Sequence, residues 1–541
     1  MMSLDFATAW EAVSDATPEA TAIVQGARRM TYGEYDDAAA RFAAAIAAHG
    51  LEVGSTVGLY LHNCPEYLIA HYGAFKNRSI PINVNYRYLD DELVYLVDNS
   101  ESQVLVFNSS LSDCVRRVRD RLTNVKLFVE VDDGGEHLEG SIAFESLIAD
   151  YEPQERQVRA HDDLYMLYTG GTTGMPKGVM YKQGDFVLRL FANFALLGLD
   201  VPTPTDREGI APFIAAVSER GVEVSIPCCP LMHGTGMWVG VMPVHLAGGA
   251  VVLLESRHFD AHEVWRLTEQ EGVTRIVVVG DPFARPMVRA LEERESDGRP
   301  YVLSSVRSIV SAGAIWSAEV KDGLRARMSA SLVDALGSTE GGTYALSSAD
   351  SGHGAATAKF TLAPDTKVIS EDRRVLKPGA SEPGLLASST NAFGYYKDPE
   401  KSARTFIEID GRSYVITGDW ATVDADGTVT LLGRGSNCIN TGGEKVYPEE
   451  VEEAIKRHEL VDDCLVVGMP DERFGQRVVA VVGSSAEVKP TGDELCTWLR
   501  DHLSHFKIPK AVVVLDVVRR APNGKADYRW AQQMAEENFA H

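Results

Sequence analysis

The chain has no surplus of positive charge. Its 541 residues carry 52 Lys and Arg against 77 Asp and Glu, a net −25, whereas a protein that grips nucleic acid needs a basic face to neutralise phosphates. Nucleic acid is therefore excluded as a partner. A small phosphate ligand is not, because a few cations and backbone N–H groups suffice to hold one. Cysteine is sparse: seven residues, with no CxxC and no Cys/His spacing suited to zinc. The adjacent Cys228 and Cys229 read as small, buried, reduced side chains. Apolar runs such as "AVVVLDVV" fall far short of a membrane span. The start, "MMSLDFATAW", has neither the basic nor the apolar region of a secretion signal. A cytoplasmic protein with no integral membrane segment is expected, and a homodimer is left open. Internal repeats and low-complexity tracts are lacking, and so is the GxSxG elbow of the serine hydrolases.

What is present is an ordinary globular composition, 45% hydrophobic and 24% charged. The chain exceeds what one core serves, so at least two domains are expected. Over the first 130 residues, helix-like and strand-like segments alternate. "TYGEYDDAAARFAAAIAAHG" opens on a Thr31…Glu34 capping box and stops at Gly50, whereas "TVGLYLHN", "IPINVNYR", "QVLVFNS" and "KLFVEVD" are short and rich in β-branched or aromatic residues. Such alternation predicts an α/β fold of βαβ-type layers over a largely parallel sheet. Residues 201–226, with three prolines and no clear period, read as a long surface loop or a small insertion of the kind that carries specificity. From about residue 437 a smaller α+β unit follows: the helix "YPEEVEEAIKRH" has Pro448 in its first turn, acids early and bases late.

One stretch carries chemistry on its face. "YTGGTTGMPKGVM", residues 168–180, sets glycines among Thr169, Thr172 and Thr173 ahead of Lys177. It is not a Walker loop, because Lys177 follows Met-Pro and precedes Gly178. Glycine still lets backbone N–H groups approach an anion, the hydroxyls donate and the lysine adds charge, so a polyphosphate suits it.

That stretch resembles the phosphate loop of the adenylate-forming enzymes, YTSGTTGxPKG, with Gly170 where serine is common. Further motifs of that family follow in order. "PLMHGTG" (230–236) resembles the segment bordering the acyl pocket and "SAGAIWS" (311–317) the loop flanking adenine. "DALGSTEGG" (334–342) resembles the YGxTE motif and "YVITGDW" (414–420) the ribose motif. "LLGRGSNCINTGGEKVYPEEVE" is similar to the hinge region and "APNGKADYRW" (521–530) to the C-terminal catalytic loop. Singly, each is weak. An aspartate after Thr-Gly more often serves a turn, and a lone histidine is more often structural. Together they span nearly the whole chain.

The resemblance implies a large N-terminal ATP- and acyl-binding domain (1–433), a hinge (434–436) and a mobile C-terminal lid (437–541). It also implies roles. ATP would be held by Thr169, Gly170, Gly171, Thr172, Thr173, Gly174 and Lys177. Gly313 and Ala314, the run Asp334, Ala335, Leu336, Gly337, Ser338 and Thr339, and Asp419, Arg434 and Lys525 complete that site. Lys525, Glu340, Thr339 and His233 would be catalytic, and Glu340 with Thr172 would hold Mg2+. His233, Gly234, Thr235, Met237 and Trp238 would border the acid, and Gly442, Gly443, Glu444 and Lys445 a tunnel for coenzyme A. Two positions depart from the pattern: Leu336 replaces a ring that stacks on adenine, and Ser436 stands where the hinge is Asp or Lys. The implied activity is ATP-dependent acyl-CoA synthesis from a bulky apolar acid, such as a fatty acid or a steroid side-chain acid. Delivery of the acyl group to a carrier protein and a non-catalytic AMP-binding relative remain as alternatives.

Overall fold

A computed structural model describes residues 4–169, 175–196, 203–314, 316–348, 359–380, 382–409, 411–434, 437, 439–441, 444–471, 475–503, 505–521 and 524–539. Among them the chain builds a large N-terminal and a small C-terminal domain, each around its own sheets. The opening alternation produces a five-stranded sheet whose pairings are all parallel, in the order Ile80–Asn83, Thr56–Tyr60, Ser102–Asn108, Leu127–Val131, Ile142–Ala143. The intervening helices cover it. Helix Tyr32–Ala48 begins at the Thr31 capping box. It packs on Pro65–Lys76, whose proline occupies the first turn, where its missing N–H costs no bond.

The larger sheet has two halves. One is parallel, running from Thr21–Gln25 through Ala250–Leu253, Val224–Pro227, Arg275–Val278 and Ser308–Ala312 to Ser331–Ser338. The other is antiparallel and continues through Gly342–Ser348, Lys359–Leu362, Val429–Arg434, Arg412–Val423 and Gly384–Ser389. Here the expected loop at 201–226 is corrected. Residues 210–218 form a helix that buries Ile210, Phe213, Ile214 and Val217, and Val224–Pro227 is an interior strand. That strand is four residues long and ends on proline, so the usual signals of a strand are missing from its sequence.

A third sheet, Ala392–Tyr395 beside Lys177–Lys182 beside Leu164–Thr169, is antiparallel and carries the phosphate-loop motif at one end. The C-terminal domain is built on Asp463–Asp471 and Gly475–Gly483, rich in valine, with Ala511–Leu515 parallel to the latter. Its core of Val451, Ile455, Val466, Ala480, Val482, Leu495 and Leu499 draws on no N-terminal residue. Burying each larger apolar side chain contributes about 1.5–3 kcal/mol, enough in sum for a core of its own. The Arg289–Asp462 ion pair, 2.6 Å, joins the two domains. Among the described residues no helix is long and apolar enough to cross a membrane.

Candidate functional site

The phosphate-loop hairpin places Thr169 directly opposite Lys177 in register. Gly170, Gly171, Thr172, Thr173 and Gly174, which lie between them, fall outside the described residues. Lys177 pairs with Asp398, the N-cap of helix Pro399–Thr405, which holds that aspartate below its usual range. Its ammonium also lies 5.8 Å from the centre of the Tyr395 ring. The Tyr395 hydroxyl in turn donates to Glu340 Oε1 at 2.7 Å. A cation of the phosphate loop and the carboxylate of the Thr-Glu motif are thus joined through one tyrosine. Sequence reasoning missed Tyr395 and Asp398; the only local signal was an Asp-Pro helix start.

Thr339 and Glu340 sit on the tight turn between Ser331–Ser338 and Gly342–Ser348. Glycine is required there: a Cβ on Gly337 would lie 2.2 Å from the Gly342 carbonyl oxygen, and Gly342 has φ +66. The Tyr181 hydroxyl donates to the Thr339 carbonyl, and the Gly341 amide donates to Ser338 Oγ at 3.1 Å. Ser338 also bonds the Tyr344 hydroxyl, which lies 3.2 Å from Thr417 Oγ1, and Thr417 donates to Asp419. One hydrogen-bonded chain therefore fixes the carboxylate of the ribose motif relative to the Thr-Glu turn. Asp334 is buried against Lys321 at 3.3 Å, and burial pushes its carboxyl up to about 6 despite that ammonium.

Two cavities meet at these elements. One, of about 180 Å³, is lined by Thr169, His233, Gly234, Thr235, Trp238, Ser338 and Thr339, with Phe186, Leu190 and Val279 supplying apolar wall. The other, of about 430 Å³, is lined by Ala314, Asp334, Asp419 and the helix Pro448–Lys456 of the small domain. Gly313, Ala335, Leu336, Gly337 and Lys525 line both. Lys525 therefore stands at the junction, although it comes from the far end of the chain. Its turn is seated by Gly524, φ +78, where a Cβ would meet Phe283 at 3.2 Å and Val279 at 3.4 Å. The Lys525 Cε lies 3.7 Å from where a Cβ on Gly313 would stand, so its side chain lies against that loop.

At the apolar end, burial holds the His233 imidazole down at about 3, with Lys525 and Arg87 adding to the effect. His233 is thus neutral at ordinary pH, and its covered Nε2 has no hydrogen-bond partner among the described residues. The neighbouring segment Thr235–Val241 is a π-helical turn, a form enriched at functional sites. It points Trp238 into the cavity, edge-on to Phe186 with ring centres 4.8 Å apart, and the indole N–H donates to Tyr165 at 2.7 Å. Gly234 faces the indole so closely that a Cβ there would lie 3.1 Å from it. Met237 is not among the residues lining this cavity and is buried with Leu231 and Val241 in the core.

Leu336 does line both cavities, an aliphatic wall where the family pattern has a ring. Cys228 and Cys229 are buried as expected, their thiols pushed up by burial. Arg434 is described only as backbone, paired across strands with Asp419. Glu444 and Lys445 are likewise described as backbone, in a strand of the small domain's sheet. Gly442, Gly443 and Ser436 lie outside the described residues.

Residues 10–396 match the AMP-binding enzyme family, and residues 450–525 match the AMP-binding enzyme C-terminal domain. A 3-oxocholest-4-en-26-oate–CoA ligase of Rhodococcus rhodochrous is 40% identical over 98% of this chain and 96% of its own. A medium/long-chain-fatty-acid–CoA/3-oxocholest-4-en-26-oate–CoA ligase of Mycolicibacterium smegmatis is 38% identical over 100% and 98%. Among solved structures, an anthranilate CoA ligase in complex with anthranoyl-AMP superposes with a TM-score of 0.85, at 20% identity and over 100% and 99% of the two chains. A benzoate CoA ligase from Burkholderia xenovorans follows at 0.79, with 20% identity over 98% and 99%. The solved structures speak for the fold alone. The sequence matches cover both domains and nearly the whole of each relative, and by them the chain belongs to the family of AMP-binding enzymes.

Proposed function

We propose that this chain is an AMP-forming acyl-CoA synthetase acting on a bulky apolar carboxylic acid, of the fatty-acid or steroid side-chain kind that names its relatives. The observation that carries the reading is Lys525 at the junction of two cavities, one walled by Phe186, Leu190, Trp238 and Val279, the other by Asp334, Asp419 and the helix Pro448–Lys456. A carboxylate is a poor acylating agent because oxide would have to leave. Its oxygen instead attacks the α-phosphorus of ATP, the bond to the β-phosphate breaks, and pyrophosphate departs, leaving a mixed anhydride. The CoA thiolate then attacks the acyl carbon and AMP leaves. Neither step needs a protein nucleophile; both need fixed charge where charge develops.

In this assignment the 169–177 hairpin holds the β- and γ-phosphates, which Lys177 reaches by giving up Asp398. Asp419, with Thr417 orienting it, takes the ribose hydroxyls, and Arg434 lies beside it. Asp334, Ala335, Leu336, Gly313 and Ala314 surround adenine. Lys525 neutralises the carboxylate and α-phosphate together, and the Thr339 hydroxyl bonds the same phosphate. His233, kept neutral by burial, offers its unpartnered nitrogen without repelling Lys525. Magnesium suits Glu340, whose carboxylate has lone pairs beyond the one given to Tyr395. Among the described residues no cluster of three acidic, histidine or cysteine side chains forms a cage. Glu340, with Thr172 as a further oxygen, would hold the ion. When bound, the ion neutralises charge on the departing pyrophosphate.

For the second step the lid, 437–541, turns about 434–436, withdrawing Lys525 and bringing the 442–445 segment beside the thiol. One site then serves two reactions. The test is mass spectrometry of products from a pool of acids. With ATP alone, acyl-AMP and pyrophosphate form; with CoA added, acyl-CoA replaces acyl-AMP. Acyl-AMP that CoA never consumes would instead assign the acyl group to a carrier protein.

The apolar cavity carries its own prediction. Gly234→Leu pushes the indole of Trp238 across the cavity, and overpacking of this kind costs about 1–3 kcal/mol. Loss of kcat/KM should grow with the bulk of the acid. An equal loss for short and bulky acids would place Gly234 outside the acyl path.

A further inference from the structure

Arg189 brings a charge to the cavity wall beside two apolar side chains. It lies on helix Gln183–Leu196, on the same face as Phe186 and Leu190, and all three line the smaller cavity opposite Trp238. Its guanidinium has five N–H donors. One Nη2 donates to the Gly341 carbonyl at 2.5 Å, and among the described residues Arg189 forms no ion pair. The Tyr181 hydroxyl donates to the Thr339 carbonyl, and Glu340 is not part of the lining and bonds Tyr395. At Gly342, whose φ of +66 calls for glycine, a Cβ would lie 2.0 Å from Arg189 Nη2. The head group therefore lies directly against the turn of the Thr-Glu motif.

A plain hydrocarbon tail filling the cavity would strip water from those donors and return nothing, which is costly for a charged group. An acid with a second acceptor oxygen at that depth would pair with them. We propose that Arg189 is a specificity-determining residue, selecting carboxylic acids that carry a second acceptor oxygen along the chain. That oxygen is a ketone or a second carboxylate. The inference rests on the acyl-activating reading of this cavity and deepens it. Both oxygen types share the same hydrogen-bond chemistry, and a planar guanidinium serves either.

The test measures kcat/KM by pyrophosphate release for plain acids of increasing length, each with its oxo and its dicarboxylic counterpart. Wild type, Arg189→Met and Arg189→Lys are compared, with thermal melting to verify folding. At one position along the chain, wild type should favour an oxygenated acid over its plain partner by tenfold or more. Arg189→Met should reduce that ratio by about tenfold or more, in line with the loss of a charged hydrogen bond. If a carboxylate is the natural partner, the dicarboxylic arm shows the preference and Arg189→Lys retains much of it. If a ketone is, the oxo arm shows it. An unchanged ratio in Arg189→Met overturns the proposal. So does an equal loss for every acid, which would make Arg189 a prop for the Gly341 turn. Absence of pyrophosphate with every acid in wild type would overturn the acyl-activating reading itself and this inference with it.

Discussion

Lys525→Ala should lower the rate of acyl-CoA formation from acid, ATP and CoA by about 10²–10³, the cost of removing one preorganised donor from a developing charge. The lysine lines both cavities at their junction, held there by the seating of Gly524 on Phe283 and Val279. Among the residues lining the two cavities the one other lysine is Lys456, on the helix of the small domain, and it lines the larger cavity alone. The same variant supplied with synthetic acyl-adenylate and CoA should stay within several-fold of wild type, because in the proposed second step the lid has turned the lysine away. Two assays of one purified protein therefore separate the half-reactions. Equal collapse in both would assign Lys525 to folding or to CoA binding, and the rotating lid would lose its main support. The His233 imidazole supplies a side check, since Lys525 is among the charges that hold it low. Removing the lysine should raise its titration slightly, visible by NMR.

Glu340→Gln should be nearly as damaging. The amide keeps the size of the carboxylate and can still accept from Tyr395, so the change removes charge while sparing the turn. The expected result is a fall of about 10² in pyrophosphate release. It should come with a shift of the magnesium dependence to higher concentration, part of the rate returning as magnesium is raised. Tyr395→Phe removes only the hydroxyl that orients the carboxylate and should cost far less. A magnesium midpoint identical in wild type and Glu340→Gln would take the metal away from this residue.

Much of this site is legible in the amino-acid sequence, for a physical reason. Phosphate and nucleotide recognition use backbone, so glycines mark it in sequence wherever a Cβ cannot be tolerated. Gly337 and Gly342 at the Thr-Glu turn and Gly524 beside Lys525 are such positions. The parallel sheet of the first 130 residues is legible because its strands and capped helices keep their own periods. The strand Val224–Pro227 is not, because its brevity and its terminal proline hide a buried interior position. Arg189 and Tyr395 are hidden differently. Neither belongs to a glycine-rich motif, and a helix and a strand far away along the chain, by 152 and 55 residues, bring them to the Thr-Glu turn. Adjacency along the chain does not distinguish Met237 from Trp238, whereas the π-helical turn sends the first into the core and the second into the cavity.

The central claim is that a carboxylate oxygen attacks the α-phosphorus of ATP, and isotope labelling tests it most directly. An accepted acid carrying ¹⁸O at both carboxyl oxygens is turned over with ATP and CoA, and the products are weighed by mass spectrometry. The account predicts that AMP carries one ¹⁸O, the bridging oxygen left behind by thiolysis, and that the thioester carbonyl carries the other. Pyrophosphate should be unlabelled. Label in ADP or inorganic phosphate with none in AMP would mean attack at another phosphorus, and the assignment of Lys525, Thr339 and Glu340 would fall together.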